Sequence, residues 1–347
     1  TRGSTANMNP TSNWTNSSSP GDECPSSADF QFQLFPVVYC LVMTLGLPGN
    51  LATLWALVLK KARRSPSDVY IINLAVADAA FLCTLPFRVH YHLHHNVWAF
   101  GGVACSVTGA GFYANIYVSI SFMTCICVDR YMATVHPLTY LRLRNSRCAV
   151  LVSAAVWLVF ATAMAAFVLL GPLDTPQDSC FEGFSDEEWE RRVGAYSAMA
   201  LLPGSLLPTG IILVCYPLAA RRIARIGTGA ARRALRLIYA VLAITLLCFL
   251  PHHAVLLLHL LRRTHVLRRC DWADGVYKAR RATTALLSLN SCLDPALYYF
   301  SRPGWRRPGL GRLLRPPRTR GVYVIAADPP TRPAPPPSCH RKLPEGN

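Results

Sequence analysis

Long apolar runs, separated by short polar or basic connections, are the dominant pattern of this sequence. The runs lie near residues 34–59, 68–92, 102–134, 147–170, 193–220, 235–261 and 277–300. Each run is long enough to cross a bilayer, because a transmembrane helix needs about 20 apolar residues. A buried helix of a soluble protein can imitate one such run, but it cannot account for all of them in a chain of 347 residues. The pattern therefore predicts an all-α membrane protein that forms a bundle of seven transmembrane helices.

Acidic residues interrupt three of these runs. Asp78 lies inside the second run, the motif Asp129-Arg130-Tyr131 ends the third, and Asp294 lies inside the seventh. A charge in the bilayer interior is unfavourable, so such residues face the inside of a bundle and mark functional sites. Pro251 and Pro295 remove backbone hydrogen bonds from the sixth and seventh spans, where we expect kinks. The pattern indicates a membrane protein that changes conformation.

The composition agrees with a membrane protein, and the charge distribution predicts its orientation. The chain is 52% hydrophobic and 15% charged, with a mean hydropathy of +0.27, whereas a soluble domain is about 25% charged. The net charge of +17 is concentrated in every second connection, which predicts an extracellular N-terminus and a cytoplasmic C-terminus. This distribution argues against nucleic acid as a partner. The basic residues of these connections include Lys60, Lys61, Arg142, Arg144, Arg221, Arg222, Arg302 and Arg306.

The segments at the two ends differ from the region of apolar runs. Residues 1–33 contain two glycosylation acceptors, Asn13 and Asn16, and are predicted to form an extracellular, glycosylated N-terminus. Residues 34–312 are predicted to form the seven-transmembrane domain, which ends in a short cytoplasmic helix. Residues 313–347 are rich in proline and arginine and are predicted to form a disordered cytoplasmic tail.

Four of the 13 cysteines lie on the predicted outer side of the membrane, which is an oxidising compartment. An even number of cysteines there favours two disulfides. Cys105 starts the third span and Cys180 precedes the fifth, so we expect a Cys105–Cys180 bond. Cys24 precedes the first span and Cys270 precedes the seventh, so we expect a Cys24–Cys270 bond, with two free cysteines as the alternative.

A set of short motifs along residues 34–312 resembles the signature of the rhodopsin-like (class A) G protein-coupled receptors. Asp294, in place of the commoner asparagine, and Phe249, in place of the commoner tryptophan, resemble the branch of nucleotide, protease-activated and lysophospholipid receptors. Residues Cys180–Trp189 resemble the second outer loop of the lysophosphatidic acid receptors that are related to purinergic receptors. The motifs are Gly49-Asn50, Leu74-Ala75-Val76-Ala77-Asp78, Asp129-Arg130-Tyr131, Trp157, Pro208, Tyr216, Cys248-Phe249-Leu250-Pro251 and Asp294-Pro295-Ala296-Leu297-Tyr298.

The resemblance implies a multi-pass receptor of the plasma membrane, not an enzyme, whose ligand is lysophosphatidic acid or a related lysophospholipid. It implies heterotrimeric G proteins as partners, with arrestin as a further candidate. A nucleotide receptor, or a proton-sensing or orphan receptor of the same branch, is the alternative. A protease-activated receptor needs a cleavable N-terminus, and Arg2 is the single basic residue within 1–33. A transporter or channel is disfavoured by the absence of internal repeats.

The resemblance also assigns a switch and an ion site. It implies that Arg130 pairs with Asp129 at rest and is released on activation to meet the G protein, with Tyr131, Tyr216 and Tyr298 in the same switch. It implies an allosteric sodium ion, the one cofactor that we expect, since hard cations take oxygen ligands. A hydrogen-bonded network with water is the alternative. The expected sodium site consists of Asp78, Ser119, Asn290, Ser291 and Asp294.

Arginines near the outer ends of the spans suggest a phosphate-bearing ligand, because a guanidinium can donate paired N–H groups to phosphate. Arg88 lies within the second span and should face the bundle interior. Of the adjacent Arg280 and Arg281, only one is expected to turn inward. Pairing of the outer arginines with acidic residues of the preceding outer loop is the alternative. The predicted ligand-binding residues are Arg88, Arg263, Arg280, Arg281, Tyr113 and Tyr117.

Four histidines crowd the outer end of the second span, and they allow three interpretations. They can be solvated loop residues, which we favour, or a proton sensor, because imidazole titrates near physiological pH. A zinc site is the third interpretation, although the expected spacing of Cys and His ligands is missing. The histidines are His90, His92, His94 and His95.

Overall fold

The computed structural model describes residues 28–59, 64–143, 145–169, 180, 194–226, 228–263 and 272–301. The regular structure of these residues is helical. The helices are α1 Gln31–Val58, α2 Pro66–Leu93, α3 Gly101–Val135, α4 Pro137–Leu143, α5 Ser146–Leu169, α6 Gly194–Leu201, α7 Leu207–Ala224, α8 Gly229–Ile244, α9 Leu250–Arg263, α10 Ala273–Ser288, α11 Asn290–Leu293 and α12 Pro295–Ser301.

Six helical stretches within the described residues are long and apolar enough to cross a membrane. They are α1, α2, α3, α5, the fifth span and the sixth span. The fifth span consists of α6, a π-helical segment Leu202–Leu206 and α7, and the sixth consists of α8, a π-helical segment Thr245–Phe249 and α9. The seventh span consists of α10, α11 and α12. The prediction of an all-α, seven-transmembrane bundle is confirmed, with span limits within a few residues of those expected.

The seventh span is less apolar than the others because its first half is charged. Asp274, Lys278, Arg280 and Arg281 all lie in α10. The span is also interrupted, since the helix changes at Leu289 and again at Asp294, directly before Pro295. Proline cannot donate a backbone hydrogen bond, which explains the second interruption.

Both π-helical segments lie next to a proline. Leu202–Leu206 precedes Pro208, and Thr245–Phe249 precedes Pro251. A π-helical turn widens the helix locally and is frequent at functional sites. The sequence-based prediction located irregularity at Pro251 and Pro295 but did not foresee either π-helical segment.

Helices α1, α2 and the seventh span pack closely because small residues lie between them. A Cβ atom placed on Gly46 would lie 3.1 Å from Leu82 Cδ1 and 3.2 Å from the Ser291 carbonyl oxygen. The same carbonyl accepts a 2.8 Å hydrogen bond from the Asn50 side chain. Small side chains allow the close approach on which helix association in lipid depends. The apolar side chains on the outer faces, such as Trp55 with 71% exposure, are placed to meet lipid.

We call the end of the bundle that carries Cys105 the outer end, following the predicted orientation. The structure joins Cys105 to Cys180 by a disulfide, and Cys180 packs against Tyr91 and Trp98. This bond ties the segment before the fifth span to the start of α3. The predicted bond between Cys24 and Cys270, the acceptors Asn13 and Asn16, and the tail 313–347 lie outside the described residues.

Candidate functional site

The inner end of the bundle holds the predicted charge pair within a larger hydrogen-bonded cluster. Arg130 Nη2 lies 3.1 Å from Asp129 Oδ2. Ser67 of α2 donates to the same carboxylate oxygen at 2.5 Å, and its hydroxyl oxygen accepts from Arg130 Nε at 3.2 Å and from Arg130 Nη2. Tyr140 of α4 donates to Asp129 Oδ1 at 3.0 Å. Three helices therefore meet at one carboxylate and one guanidinium.

Local sequence explains how the two unpredicted residues reach this cluster. Ser65 caps α2 in a reciprocal capping box, and Pro66 occupies the first helical turn. This start position places Ser67 in the first turn of α2, beside the inner end of α3. Helix α4 begins at Pro137, two residues after α3 ends, and brings Tyr140 back toward Asp129. The capping pattern before Ser67 is a sequence signal that could have located it.

The inner half of the sixth span offers Arg130 no acidic partner. Helix α8 contains arginines but neither Asp nor Glu. The acidic partner of Arg130 within the described residues is Asp129, its neighbour on α3. The contact that fixes Arg130 to another helix is its pair of hydrogen bonds to Ser67.

The three tyrosines predicted to join the switch lie in different surroundings. Tyr216 is fully buried and within electrostatic range of Arg130 and Asp129. Tyr131 is half-buried and packs its ring edge-on against His136, with the centroids 5.7 Å apart. Tyr298 is half-buried against the core of the bundle. The structure therefore brings Tyr216 to the charge pair and holds Tyr131 and Tyr298 in separate contacts.

The middle of the bundle holds the second cluster, centred on Asp78. Its Oδ1 atom accepts from Asn115 Nδ2 and from Ser291 Oγ, each at 2.8 Å. Asn115 Nδ2 also lies 3.4 Å from Ser119 Oγ, and Ser291 Oγ lies 3.5 Å from Asn290 Oδ1. The structure thus unites α2, α3 and the seventh span around one carboxylate. Asn115 was not among the predicted site residues, although its motif was noted.

Two carboxyl groups in this cluster are incompletely satisfied. Asp78 Oδ2 and both carboxyl oxygens of Asp294 are buried and have no hydrogen-bond partner among the described residues. Asp294 lies within electrostatic range of Asp78. Two neighbouring buried carboxylates cannot both stay charged unless a cation or a shared proton balances them. The donor set, made of carboxylate, amide and hydroxyl oxygens, fits a hard cation such as sodium.

The outer half of the bundle holds the third cluster, around Arg88. Its side chain is 6% exposed, and its guanidinium carbon lies 4.1 Å from the centre of the Phe112 ring. Nη2 lies 3.5 Å from the Thr108 carbonyl oxygen. Tyr39 of α1 makes a side-chain hydrogen bond with Arg88 and is within electrostatic range of Arg281. Arg88 and Arg281 therefore converge on one tyrosine between α1, α2 and α10.

The two adjacent arginines of α10 are both half-buried, which differs from the prediction that only one turns inward. Arg281 Nη2 donates to the Tyr277 hydroxyl at 2.8 Å and acts on His92 of α2. Arg280 acts instead on His252 of α9. The difference arises because successive helical residues are about 100° apart, so the inner face of α10 lies between the two side chains. Nothing described concerns the side chain of Arg263.

The two predicted ligand-binding tyrosines of α3 differ in burial. Tyr113 is 46% exposed and meets Phe112 edge-on at 5.7 Å. Tyr117 is buried, and its ring lies against Gly204 of the fifth span and parallel to Phe160 of α5 at 6.3 Å. Tyr113 is therefore accessible to a ligand, whereas Tyr117 packs between neighbouring helices.

The histidine cluster divides into buried and exposed members. His92 is buried, stacks on Phe35 at 4.5 Å, and places Nδ1 3.1 Å from Asn96 Oδ1. The favoured interpretation as solvated loop residues is therefore wrong for His92, which belongs to the core. His90 and His94 stack on each other at 3.9 Å at the helix end.

The family of the chain follows from a comparison with known proteins. The family model described as 7 transmembrane receptor (rhodopsin family) matches residues 49–298, which contain all three polar clusters. The chain belongs to the rhodopsin family of seven-transmembrane receptors. It is a G protein-coupled receptor of the nucleotide and lysophospholipid branch, as its motifs predicted. This receptor is a multi-pass protein of the plasma membrane, it signals through heterotrimeric G proteins, and it is not an enzyme.

Individual relatives have different names and similar levels of identity. The chain is 35% identical to human G-protein coupled receptor 68 over 77% of this chain and 73% of that receptor. It is 30% identical to mouse lysophosphatidic acid receptor 4 over 82% of this chain and 78% of the relative. It is 34% identical to mouse purinoceptor 2 over 97% of this chain and 90% of the relative. These similarities fix the branch of the family but do not choose a ligand.

Proposed function

We propose that this receptor binds lysophosphatidic acid or a closely related lysophospholipid and responds by activating a heterotrimeric G protein. The observation that carries the proposal is the position of Arg88, which is buried at the outer half of the bundle and shares Tyr39 with Arg281. A charged side chain buried within a membrane-spanning helix is a functional feature by default.

The chemistry of this cluster favours phosphate. Two guanidinium groups that converge on one tyrosine repel each other, and a phosphate between them would reverse that repulsion. Guanidinium groups bind phosphate oxygens through paired N–H donors, and such charge-assisted bonds are stronger than neutral ones. Tyr39 would orient the arginines and add a hydroxyl group.

The surroundings of the cluster favour a lipid over a nucleotide. Phe112 covers one face of the Arg88 guanidinium and meets Phe81 edge-on at 5.7 Å. Apolar aromatic walls suit an acyl chain, whereas a nucleobase needs polar groups on its edge. Similarity to lysophosphatidic acid receptor 4 supports this choice. A nucleotide is the second candidate, because the similarity to mouse purinoceptor 2 extends over 97% of this chain.

We also propose roles for the two deeper clusters. Asp78 and Asp294, with Asn115, Ser119 and Ser291, would hold a sodium ion in the resting receptor, and the unsatisfied carboxyl oxygens support this assignment. At the inner end, Arg130 would leave Asp129 and Ser67 on activation and contact the G protein. Arrestin would use the same inner face after activation.

A signalling assay tests the ligand. Cells that express the wild-type receptor, Arg88→Ala or Arg88→Lys at matched surface levels would receive 1-oleoyl-lysophosphatidic acid, uridine triphosphate or an acidic medium. We expect a response to the lipid and a loss of potency of about 10-fold or more in Arg88→Ala, since a hydrogen bond to a charged group contributes about 1.5–3 kcal/mol. Arg88→Lys should lie between the two, because lysine keeps the charge but loses the paired donors.

The outcomes separate the candidates. A response to the nucleotide without a response to the lipid would replace lysophospholipid by nucleotide as the ligand. A response to acid alone would transfer the proposal to the histidines of α2. Unchanged lipid potency in Arg88→Ala would show that Arg88 does not hold the head group.

A further inference from the structure

An apolar groove lies between the outer parts of the sixth and seventh spans. Its volume is about 300 Å³, at the lower end of the range for small-molecule sites. Val255 and Leu258 of α9 form one wall, three residues apart and therefore on the same face of that helix. The other wall contains Val276 and Ala279 of α10 and the preceding Trp272, with Gly275 as its floor.

The groove opens toward the membrane rather than toward the interior of the bundle. Leu258 is 38% exposed and Trp272 is 64% exposed, although both are apolar residues of membrane-spanning segments. Val255 lies about 12 Å along the helix axis from Arg263, the last residue of α9, at 1.5 Å per residue. The groove thus occupies the depth of the outer leaflet.

Arg262 marks the outer end of this groove. It lies one helical turn beyond Leu258 on the same face of α9, and its Nη1 lies 3.4 Å from the Ala273 carbonyl oxygen across the gap. A guanidinium has five N–H donors, so this contact is compatible with binding a phosphate. A cation at the mouth and apolar walls below it match a lipid that carries a negative head group on a single chain.

The groove is separate from the Arg88 cluster. Arg281 follows Ala279 by two residues, which is about 200° around the helix, so the two side chains lie on nearly opposite sides of α10. Arg281 acts on Tyr39 and His92 of α1 and α2, whereas Ala279 lines the groove beside α9.

We propose that this groove is a second lipid site, which takes the acyl chain of a lysophosphatidic-acid-type lipid from the outer leaflet and holds its phosphate at Arg262. The choice of occupant rests on the proposed function. Anionic phospholipids are concentrated in the cytoplasmic leaflet, so a basic mouth at outer-leaflet depth selects a scarce anionic lipid rather than the bulk lipid around it. The volume fits part of one chain rather than two.

Two glycines of the chain provide a matched test. A Cβ atom on Gly275 would meet nothing within 4 Å, so Gly275→Leu fills the groove without a clash. Gly210 of α7 is also exposed with open space at its Cβ position, so Gly210→Leu makes the same chemical change on another lipid-facing surface. Leucine is a better helix former than glycine, which supports folding of both variants.

The probe is a lysophosphatidic acid with a photoreactive diazirine in its acyl chain, applied to the full-length receptor in phosphatidylcholine nanodiscs. Mass spectrometry of the digested receptor then locates the label. We expect labelled peptides from α9 and from the start of α10, loss of that label in Gly275→Leu, and retention in Gly210→Leu. Arg262→Gln should lower the label and Arg262→Lys should restore part of it.

Two results would overturn the second site: a wild-type receptor without label in the groove, or equal labelling by a phosphatidylcholine that carries the same diazirine, which would mean ordinary annular lipid. The signalling assay keeps this test apart from the proposed function. Activation by lysophosphatidic acid with an unlabelled groove rejects only the second site. A labelled groove in a receptor that the lipid does not activate rejects only the proposed function.

Discussion

Replacing Ser67 by alanine should raise signalling in the absence of any ligand. The Ser67 hydroxyl donates to Asp129 Oδ2 at 2.5 Å and accepts two hydrogen bonds from Arg130. It is the described contact that fixes Arg130 to another helix, because α8 offers no acid. Ser67→Ala removes these bonds and leaves the pair Asp129–Arg130 in place. The substitution therefore weakens the resting arrangement without removing either charge.

The size of the effect follows from the chemistry of the lost bonds. A hydrogen bond to a charged group contributes about 1.5–3 kcal/mol. The Arg130 side chain is 28% exposed, so water replaces part of the loss and the lower end of that range applies. About 1.5 kcal/mol corresponds to about a tenfold change in an equilibrium. If about 1% of resting receptors are active, as is typical of minor states, Ser67→Ala should raise that share to about 10%.

The assay is basal G protein activation in cells, normalised to surface expression. Ser153→Ala is the matched control, because Ser153 is equally buried but donates only to the Ala149 carbonyl of its own helix, at 2.8 Å. Tyr140→Phe removes one hydrogen bond to Asp129 and should raise the basal signal less than Ser67→Ala does. Basal activity in Ser67→Ala that equals the Ser153→Ala value would refute the role of Ser67 in holding Arg130.

Three further outcomes test other parts of the structure. Sodium chloride, compared with choline chloride, should raise the unfolding temperature of the purified receptor, and Asp294→Asn should abolish that difference; an equal difference in the variant would exclude Asp294 as a ligand. Gly46→Val should lower the unfolding temperature, because overpacking costs about 1–3 kcal/mol, whereas Gly210→Val should leave it nearly unchanged, as thermal-shift measurements would show. Cys180→Ser opens a disulfide that closes a separation of 75 residues and should destabilise the receptor by at most about 4 kcal/mol, measured as lost surface expression and a lower unfolding temperature; unaltered values would show that the bond does not stabilise the fold.

The sequence predicted the architecture well because hydropathy records it directly. Lipid contact requires apolar residues over a fixed length, so the span limits could be read within a few positions. The seventh span was recognised despite its charged first half because the Asp294-Pro295 motif identified it. The helix α4 was not predicted, since its seven residues show no apolar period long enough to distinguish a helix from a basic loop.

The candidate site was predicted in outline, and its missing members share a physical cause. Asn115, Ser67 and Tyr39 are uncharged, so a search guided by buried charges passes over them. Each becomes visible only when tertiary packing brings it to a charged partner on another helix. The two π-helical segments were missed for a related reason, because no local pattern distinguishes one extra residue in a turn from a regular helix.

The arrangement of the three clusters suggests which element connects them. Helix α2 contributes Arg88, Asp78 and Ser67, one to each cluster, and α3 meets all three, so these two helices form a continuous frame. The seventh span joins the outer and middle clusters, through Arg281 and Asp294, and its helix is interrupted at Leu289 between those two residues. Coupling between sites needs an element with two arrangements that both sites can bias. An uninterrupted, well-packed helix would resist such a change, whereas a span that is broken between its two polar contacts can shift its outer part toward a bound phosphate and alter the carboxyl pair below. The seventh span is therefore the element through which we expect ligand binding at Arg88 and Arg281 to reach Asp78.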